Sequence, residues 1–126
     1  MFKPKSNNHK AKIDTLIGAN TRINGDVEFA GGFHLEGTIN GNVKCTAGGD
    51  DTLSVSEAGC IEGSVSVPNI VLNGVVKGDI EAGDRVELGP KAKVLGSVHY
   101  LTIETAVGAQ INGKLIHKRK RAPKDE

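Results

Sequence analysis

The stretch with the most recognisable chemical spacing is Gly108-Ala109-Gln110-Ile111-Asn112-Gly113-Lys114, which fits the GxxxxGK frame of a phosphate loop. Such a loop cradles phosphates on backbone N–H groups and needs Ser or Thr next, to hold Mg²⁺; Leu115 stands there instead. Ile111 and Leu115 also keep the phase of a repeat described below, which already accounts for both glycines. No nucleotide site is expected. His99 and His117 stand one coil-length apart, a spacing that brings two imidazoles to neighbouring turns. A metal needs a third ligand and an open position, and none accompanies them. Cys45 and Cys60 have no CxxC partner and no histidine at metal spacing, so they read as two reduced, buried thiols. Asp26, Glu36, Glu62 and Asp79 recur at outward positions, as on a solvated face. Glycoside hydrolysis needs two carboxyl groups facing across a cleft, and this chain is too short for the loops that build one. Neither metal nor cofactor is expected, and the chain reads as non-enzymatic.

Composition narrows what can carry these residues. Gly accounts for 17 of 126 positions, and the aromatics are only Phe2, Phe29, Phe33 and Tyr100. Every Leu, Ile and Val lies between Ile13 and Ile116, so the core must be narrow and aliphatic. Glycine recurs too often there for long amphipathic helices. No apolar run is long enough to span a membrane as a helix, and residues 1–12 lack the apolar segment of a signal peptide, so a cytoplasmic protein is expected. The net charge of +1 hides a segregation: residues 1–12 carry +4, residues 118–126 carry +3, and the middle carries −6. An acidic body bears two basic tails.

The middle is a repeat of aliphatic-x-Gly-x-aliphatic. It reads Ile23-Asn24-Gly25-Asp26-Val27, Leu35-Glu36-Gly37-Thr38-Ile39, Ile39-Asn40-Gly41-Asn42-Val43 and Ile61-Glu62-Gly63-Ser64-Val65. The doubled Leu72-Asn73-Gly74-Val75-Val76-Lys77-Gly78-Asp79-Ile80 follows, then Leu95-Gly96-Ser97-Val98 and Ile111-Asn112-Gly113-Lys114-Leu115. One equivalent residue per copy gives Val27, Val43, Val65, Ile80, Val98 and Leu115, at steps of 16, 22, 15, 18 and 17. The long step contains Ala47-Gly48-Gly49-Asp50-Asp51, read as a bulging loop. A second class of copy replaces glycine by a small residue: Leu53-x-Val55-x-x-Ala58, Val86-x-Leu88-x-x-x-Ala92 and Leu101-x-Ile103-x-x-Ala106.

Period-2 alternation puts Ile23 and Val27 on one side and Asn24 and Asp26 on the other, with Gly25 expected to point inward at a bend. Three short strands per coil of about 17 residues make a β-solenoid, whose coils bury an inner face only by stacking. Six rungs at the usual spacing give a rod about 29 Å long. Pro68 and Pro90 fall between aliphatic runs, where a missing N–H costs least. Residues 1–12 and 118–126 contain no Leu, Ile or Val and cannot cap the rod. Uncapped ends invite end-on stacking.

These repeated I-x-G-x-V units, the short polar tails and the absence of other domains resemble a bactofilin over about residues 13–117. The resemblance implies an all-β, right-handed, triangular parallel β-helix that polymerises without nucleotide into bacterial cytoskeletal filaments. Such filaments would scaffold cell shape, polarity, envelope synthesis or chromosome-linked processes. Family members often carry an N-terminal segment directed to the inner face of the cytoplasmic membrane, and Met1, Phe2, Lys3 and Lys5 fit that role here. On this reading residues 1–12 and 118–126 are disordered basic tails flanking the β-helix. Lys118, Arg119, Lys120 and Arg121 form a segment suited to a polyanion or an acidic partner, without the aromatics of sequence-specific nucleic-acid readers. The expected polymer contacts are Ile13, Leu16 and Ile17 at one end and Leu115 and Ile116 at the other, and filaments would lack polarity if ends pair like with like.

The rival is the left-handed hexapeptide β-helix of trimeric acyltransferases. Residues 17–28 and 88–99 fit its motif. Stepping six from Ile23, however, gives Phe29, Leu35 and then Gly41, where the register fails.

Overall fold

The computed structural model describes residues 13–45 and 51–118, all of them strand, turn or irregular backbone with no helix. Sixteen strands wind into six rungs of a parallel β-solenoid. The first rung is β1 (Thr15–Ile17), β2 (Arg22–Asn24) and β3 (Val27–Phe29); the second is β4 (Gly32–Leu35), β5 (Thr38–Asn40) and β6 (Val43–Cys45). Then come β7 (Thr52–Val55), β8 (Cys60–Glu62), β9 (Val65–Leu72), β10 (Val75–Lys77) and β11 (Ile80–Leu88). The chain ends on β12 (Lys93–Val94), β13 (Val98–Tyr100), β14 (Thr102–Thr105), β15 (Gln110–Ile111) and β16 (Leu115–His117).

Three faces result. β1, β4, β7, the second half of β9, the second half of β11 and β14 stack on the first face. The second is β2, β5, β8, β10, β12 and β15. The third is β3, β6, the first halves of β9 and β11, then β13 and β16. β9 and β11 pass from third face to first without a break. Pro68 therefore sits inside a strand run, at the corner, where its ring bends the chain and its absent N–H faces no ladder.

The six residues equated in the sequence form one register column on the third face: Val27, Val43, Val65, Ile80, Val98 and Leu115. The uneven steps and the unbroken strands at one corner do not favour a strict hexapeptide helix. On the second face the inner column is Ile23, Ile39, Ile61, Val76, Val94 and Ile111. Leu35, Ile39, Leu53, Ile61, Leu72, Val76, Ile80 and Val98 are wholly excluded from solvent, and no charged or polar residue among those described is buried with them. Alternation alone explains this, since each strand sends every second side chain into the prism.

Two expectations change at the corners. Gly25, Gly41, Gly63, Gly78, Gly96 and Gly113 stack where the second face meets the third. A Cβ on any of the last five would run into the carbonyl oxygen of the glycine one rung earlier. The missing side chain thus faces along the rod, not into the core, because alternation stops where the strand turns. The residue after Gly25, Gly41 and Gly78 also does more than meet water. Asp26 Oδ1 accepts the Asn42 N–H, Asn42 Oδ1 the Ser64 N–H and Asp79 Oδ1 the Ser97 N–H, each at 2.9 Å. Corner amides lack strand partners, and these side chains supply them.

The third small-residue copy is also out of phase. Ile103 lies in register with Val86, and Thr105 with Leu88. Leu101 belongs to the preceding corner. Matching on a pair of aliphatics slid that copy by two residues, because the last rung places a threonine in the inner column.

Candidate functional site

In the middle rungs every strand has a neighbour on both sides. β1, β2 and β3 are paired on one side only, as are β14, β15 and β16. Each end of the described rod therefore presents three open strand edges around an incompletely covered core. At the first end Ile17, Ile23 and Val27 are half-buried against the core. At the other, Ile103 and Ile111 are half-buried, and Leu115 is 51% exposed where its column neighbour Val98 is 0%. An end of this kind offers unpaired N–H and C=O groups plus aliphatic surface, the requirements for adding another rung.

The structure separates the five expected end residues. Ile17 and Leu115 point inward, in columns with Leu35 and Val98. Leu16 pairs with His34 and faces outward, 60% exposed; Ile116 pairs with His99 and is outward too, 37% exposed. Ile13 precedes β1 and is 53% exposed beside Asp14, whose N–H donates to Gly32 O at 2.8 Å and whose Oδ2 accepts the Gly32 N–H at 2.9 Å. Gly31, next to it, has φ of 81°, and a Cβ there would strike the Asp14 carboxylate. Sequence reasoning missed Ile23, Val27, Ile103 and Ile111 as end residues. The signal was present, since they open and close the aliphatic repeat, but an end is a whole coil rather than the last few residues of the chain.

His99 and His117 lie on paired strands, one residue out of register, and so on opposite sides of the sheet. The His117 ring lies tilted at 59° against Tyr100 with centroids 5.5 Å apart, and its Nε2 is 3.1 Å from Leu101 O. Among the described residues no three His, Cys, Asp or Glu come together as a metal site. The Gly108 frame also serves the solenoid: Gly108 turns a corner against Pro90 O, Gly113 joins the glycine stack, and Lys114 leads into β16 rather than a helix.

The cysteines form no disulfide and are half-buried, where fully buried thiols were expected. Cys45 Sγ donates to Asp51 Oδ2 at 2.9 Å, and this bond, then the Gly31 N–H, holds the Asp51 carboxyl below its usual range. Cys60 lies on the outer side of the second face, where partial burial pushes its thiol up and keeps it protonated. Among the outward carboxylates, Glu36 lies 3.1 Å from His34 and Glu62 3.6 Å from Lys77. Glu87 and Glu104 line an open groove on the first face, and Arg85 binds both, at 2.8 and 2.7 Å. Lys118 donates its N–H to Tyr100 O and brings Nζ within 3.9 Å of Glu81. Met1, Phe2, Lys3, Lys5, Arg119, Lys120 and Arg121, and the loop residues 46–50, lie outside the described residues.

The comparisons with known proteins bear on this geometry. The family model matching residues 15–116 is bactofilin, described as polymer-forming cytoskeletal. The chain belongs to the bactofilin family. Bactofilin BacO of Myxococcus xanthus is 28% identical over 102 residues, covering 81% of this chain and 78% of that protein. Bactofilin BacP of the same organism is 26% identical over 102 residues, covering 81% of this chain but 41% of that longer protein. No solved structure matches. The matched span runs from the first strand of this bactofilin to the last, so the shared unit is the solenoid. Among the described residues no helix is long and apolar enough to cross a membrane.

Proposed function

We propose that this bactofilin is a non-enzymatic cytoskeletal subunit that assembles end-on, without nucleotide, into filaments lacking polarity. The observation that carries the proposal is the column running from Val27 to Leu115. It is wholly buried at Val98 and half-open at Leu115, one rung further on. A second subunit placed there at one rung's spacing would pair the open edges of β14, β15 and β16 and cover Ile103, Ile111 and Leu115. A polymer-forming family and open rungs at both ends support the same reading.

The filament is proposed to lie on the inner face of the cytoplasmic membrane as a scaffold for shape, polarity or envelope processes. Met1 and Phe2 would insert at the interface, while Lys3, Lys5, Lys10 and Lys12 meet anionic lipid. Each lysine contributes about 1 kcal/mol near such a surface. One tail binds weakly; a polymer presents many at once.

Negative-stain electron microscopy of the purified protein in EDTA, without nucleotide, tests the assembly. Long thin filaments are expected, and compact trimeric particles would overturn the reading. Deleting residues 1–12 should release the protein from anionic vesicles and spare the polymer; equal vesicle binding by both forms would remove the membrane anchor from the account.

A further inference from the structure

The two ends of the rod differ in one respect that assembly would expose. At the first end the inward residues are Thr15, Ile17, Ile23, Val27 and Phe29, none of which titrates. At the last end they are Ile103, Thr105, Ile111, Leu115 and His117. His117 follows the phase of Leu115, whose partner Val98 is fully buried, so its imidazole occupies an inner position of the terminal rung. The inner column that ends on His117 holds Phe29 at its other end and Tyr100 just before it. An imidazole closes a column that also holds Phe29, Cys45 and Tyr100.

From this placement we propose that the end built by β14, β15 and β16 is a pH-gated interface for a second copy of this chain, with His117 as the gate. The proposal rests on the end-on reading above. In the free subunit His117 is exposed to solvent. In a junction it would be covered by the incoming rung. The neutral ring fits there, with Nε2–H donated to Leu101 O at 3.1 Å and its ring tilted at 59° against Tyr100. The protonated ring brings a second N–H donor and a charge into a site where no carboxylate of the described residues faces it.

The ionisable groups around it confirm that last point. On β13 these are the Tyr100 hydroxyl and His99, the latter on the opposite side of the sheet. On β16's own flanks they are Lys114 and Lys118, both cationic. Glu81 of β11 is engaged by Lys118 at 3.9 Å, and Glu104 of β14 points outward to Arg85. Covering the ring therefore disfavours its charged form, and assembly at this end weakens in mild acid. Among the described residues the end built by β1, β2 and β3 has no inward imidazole. Mild acid should thus convert filaments into dimers joined at that end.

The test is sedimentation of the full chain at pH 8 and pH 5.5, with the soluble species sized by analytical ultracentrifugation. For wild type the critical concentration should be higher at pH 5.5 than at pH 8, by up to about tenfold per pH unit for each imidazole covered, with dimers left in solution. H117F should polymerise alike at both pH values. H117Q, which keeps a donor for Leu101 O, should do the same and carries the comparison if H117F misfolds. H34Q and H99Q, altered on the outer faces, should retain the wild-type loss. Acid-insensitive wild-type polymer, or acid loss persisting in H117Q, overturns the gate while leaving end-on assembly standing. No polymer at pH 8 overturns the end-on reading, and the gate with it.

Discussion

Val98 and Leu115 are register partners in one column, yet one is sealed from solvent and the other is half-exposed. The same contrast separates middle from end rungs on the second face. Ile39 and Ile61 are fully buried, whereas Ile23 and Ile111, at the two ends of their column, are only partly covered. Side-chain type does not explain the difference, because the repeat supplies aliphatics at both places. Burial here depends on having a neighbour above and below. An end rung is thus a middle rung lacking one neighbour, and the interface chemistry is that of the core itself.

Substitutions can sharpen or break that comparison. The largest effect on the fold is expected from Ile61→Ala, which opens a cavity between Ile39 and Val76. It should cost about 2–5 kcal/mol in denaturant unfolding. Ile111→Ala, at the end of the same column, should cost clearly less, and equal losses would break the distinction. Gly63→Ala comes next, since its Cβ meets Gly41 O and two rungs must part; about 1–3 kcal/mol is expected, read as a fall in Tm. Asp79→Ala leaves the Ser97 N–H to water at an exposed corner and should cost about 1 kcal/mol.

Smaller still for the fold is Leu115→Asp, placed at an end where the side chain is half in solvent. Its Tm should stay within a few degrees of wild type while pelletable polymer is lost; unchanged filaments would show that this end makes no contact. The last prediction concerns pH. Asp51 is held below its usual range by Cys45 and the Gly31 N–H, so its contribution is present above the unfolded value and is lost as pH falls through the folded one. Protection of the Gly31 amide from hydrogen exchange should therefore fall only below about pH 4, well under the range proposed for the filament end. Loss of Gly31 protection at pH 5.5 would contradict that order.

Much of the architecture was legible because the repeat is physical. An inward position in one coil must be inward in the next, so matching Val27 to Val43 and onward to Leu115 amounted to reading the register. Legibility failed where a position departs from the rule that the other copies keep. Thr105 occupies an aliphatic column, which shifted the last small-residue copy onto Leu101. Leu16 and Ile116 are aliphatic but have outward parity, and composition near the chain ends drew attention to them over Ile23 and Ile111. Asp26 and Asp79 looked like any exposed carboxylate, because a bond to a backbone amide one rung away leaves no mark on local sequence.

From the sequence alone came the coil length, the number of coils and the aliphatic interior. All follow from spacing and side-chain type, which are local and repeat. Only the tertiary structure decided which residues form each end, that the glycines face one another along the rod, and that His99 and His117 part to opposite sides of one sheet. Those facts depend on how one rung is set over the next. That setting is fixed by backbone hydrogen bonds between residues 15 to 22 positions apart, where a shift of one residue exchanges the inner face for the outer.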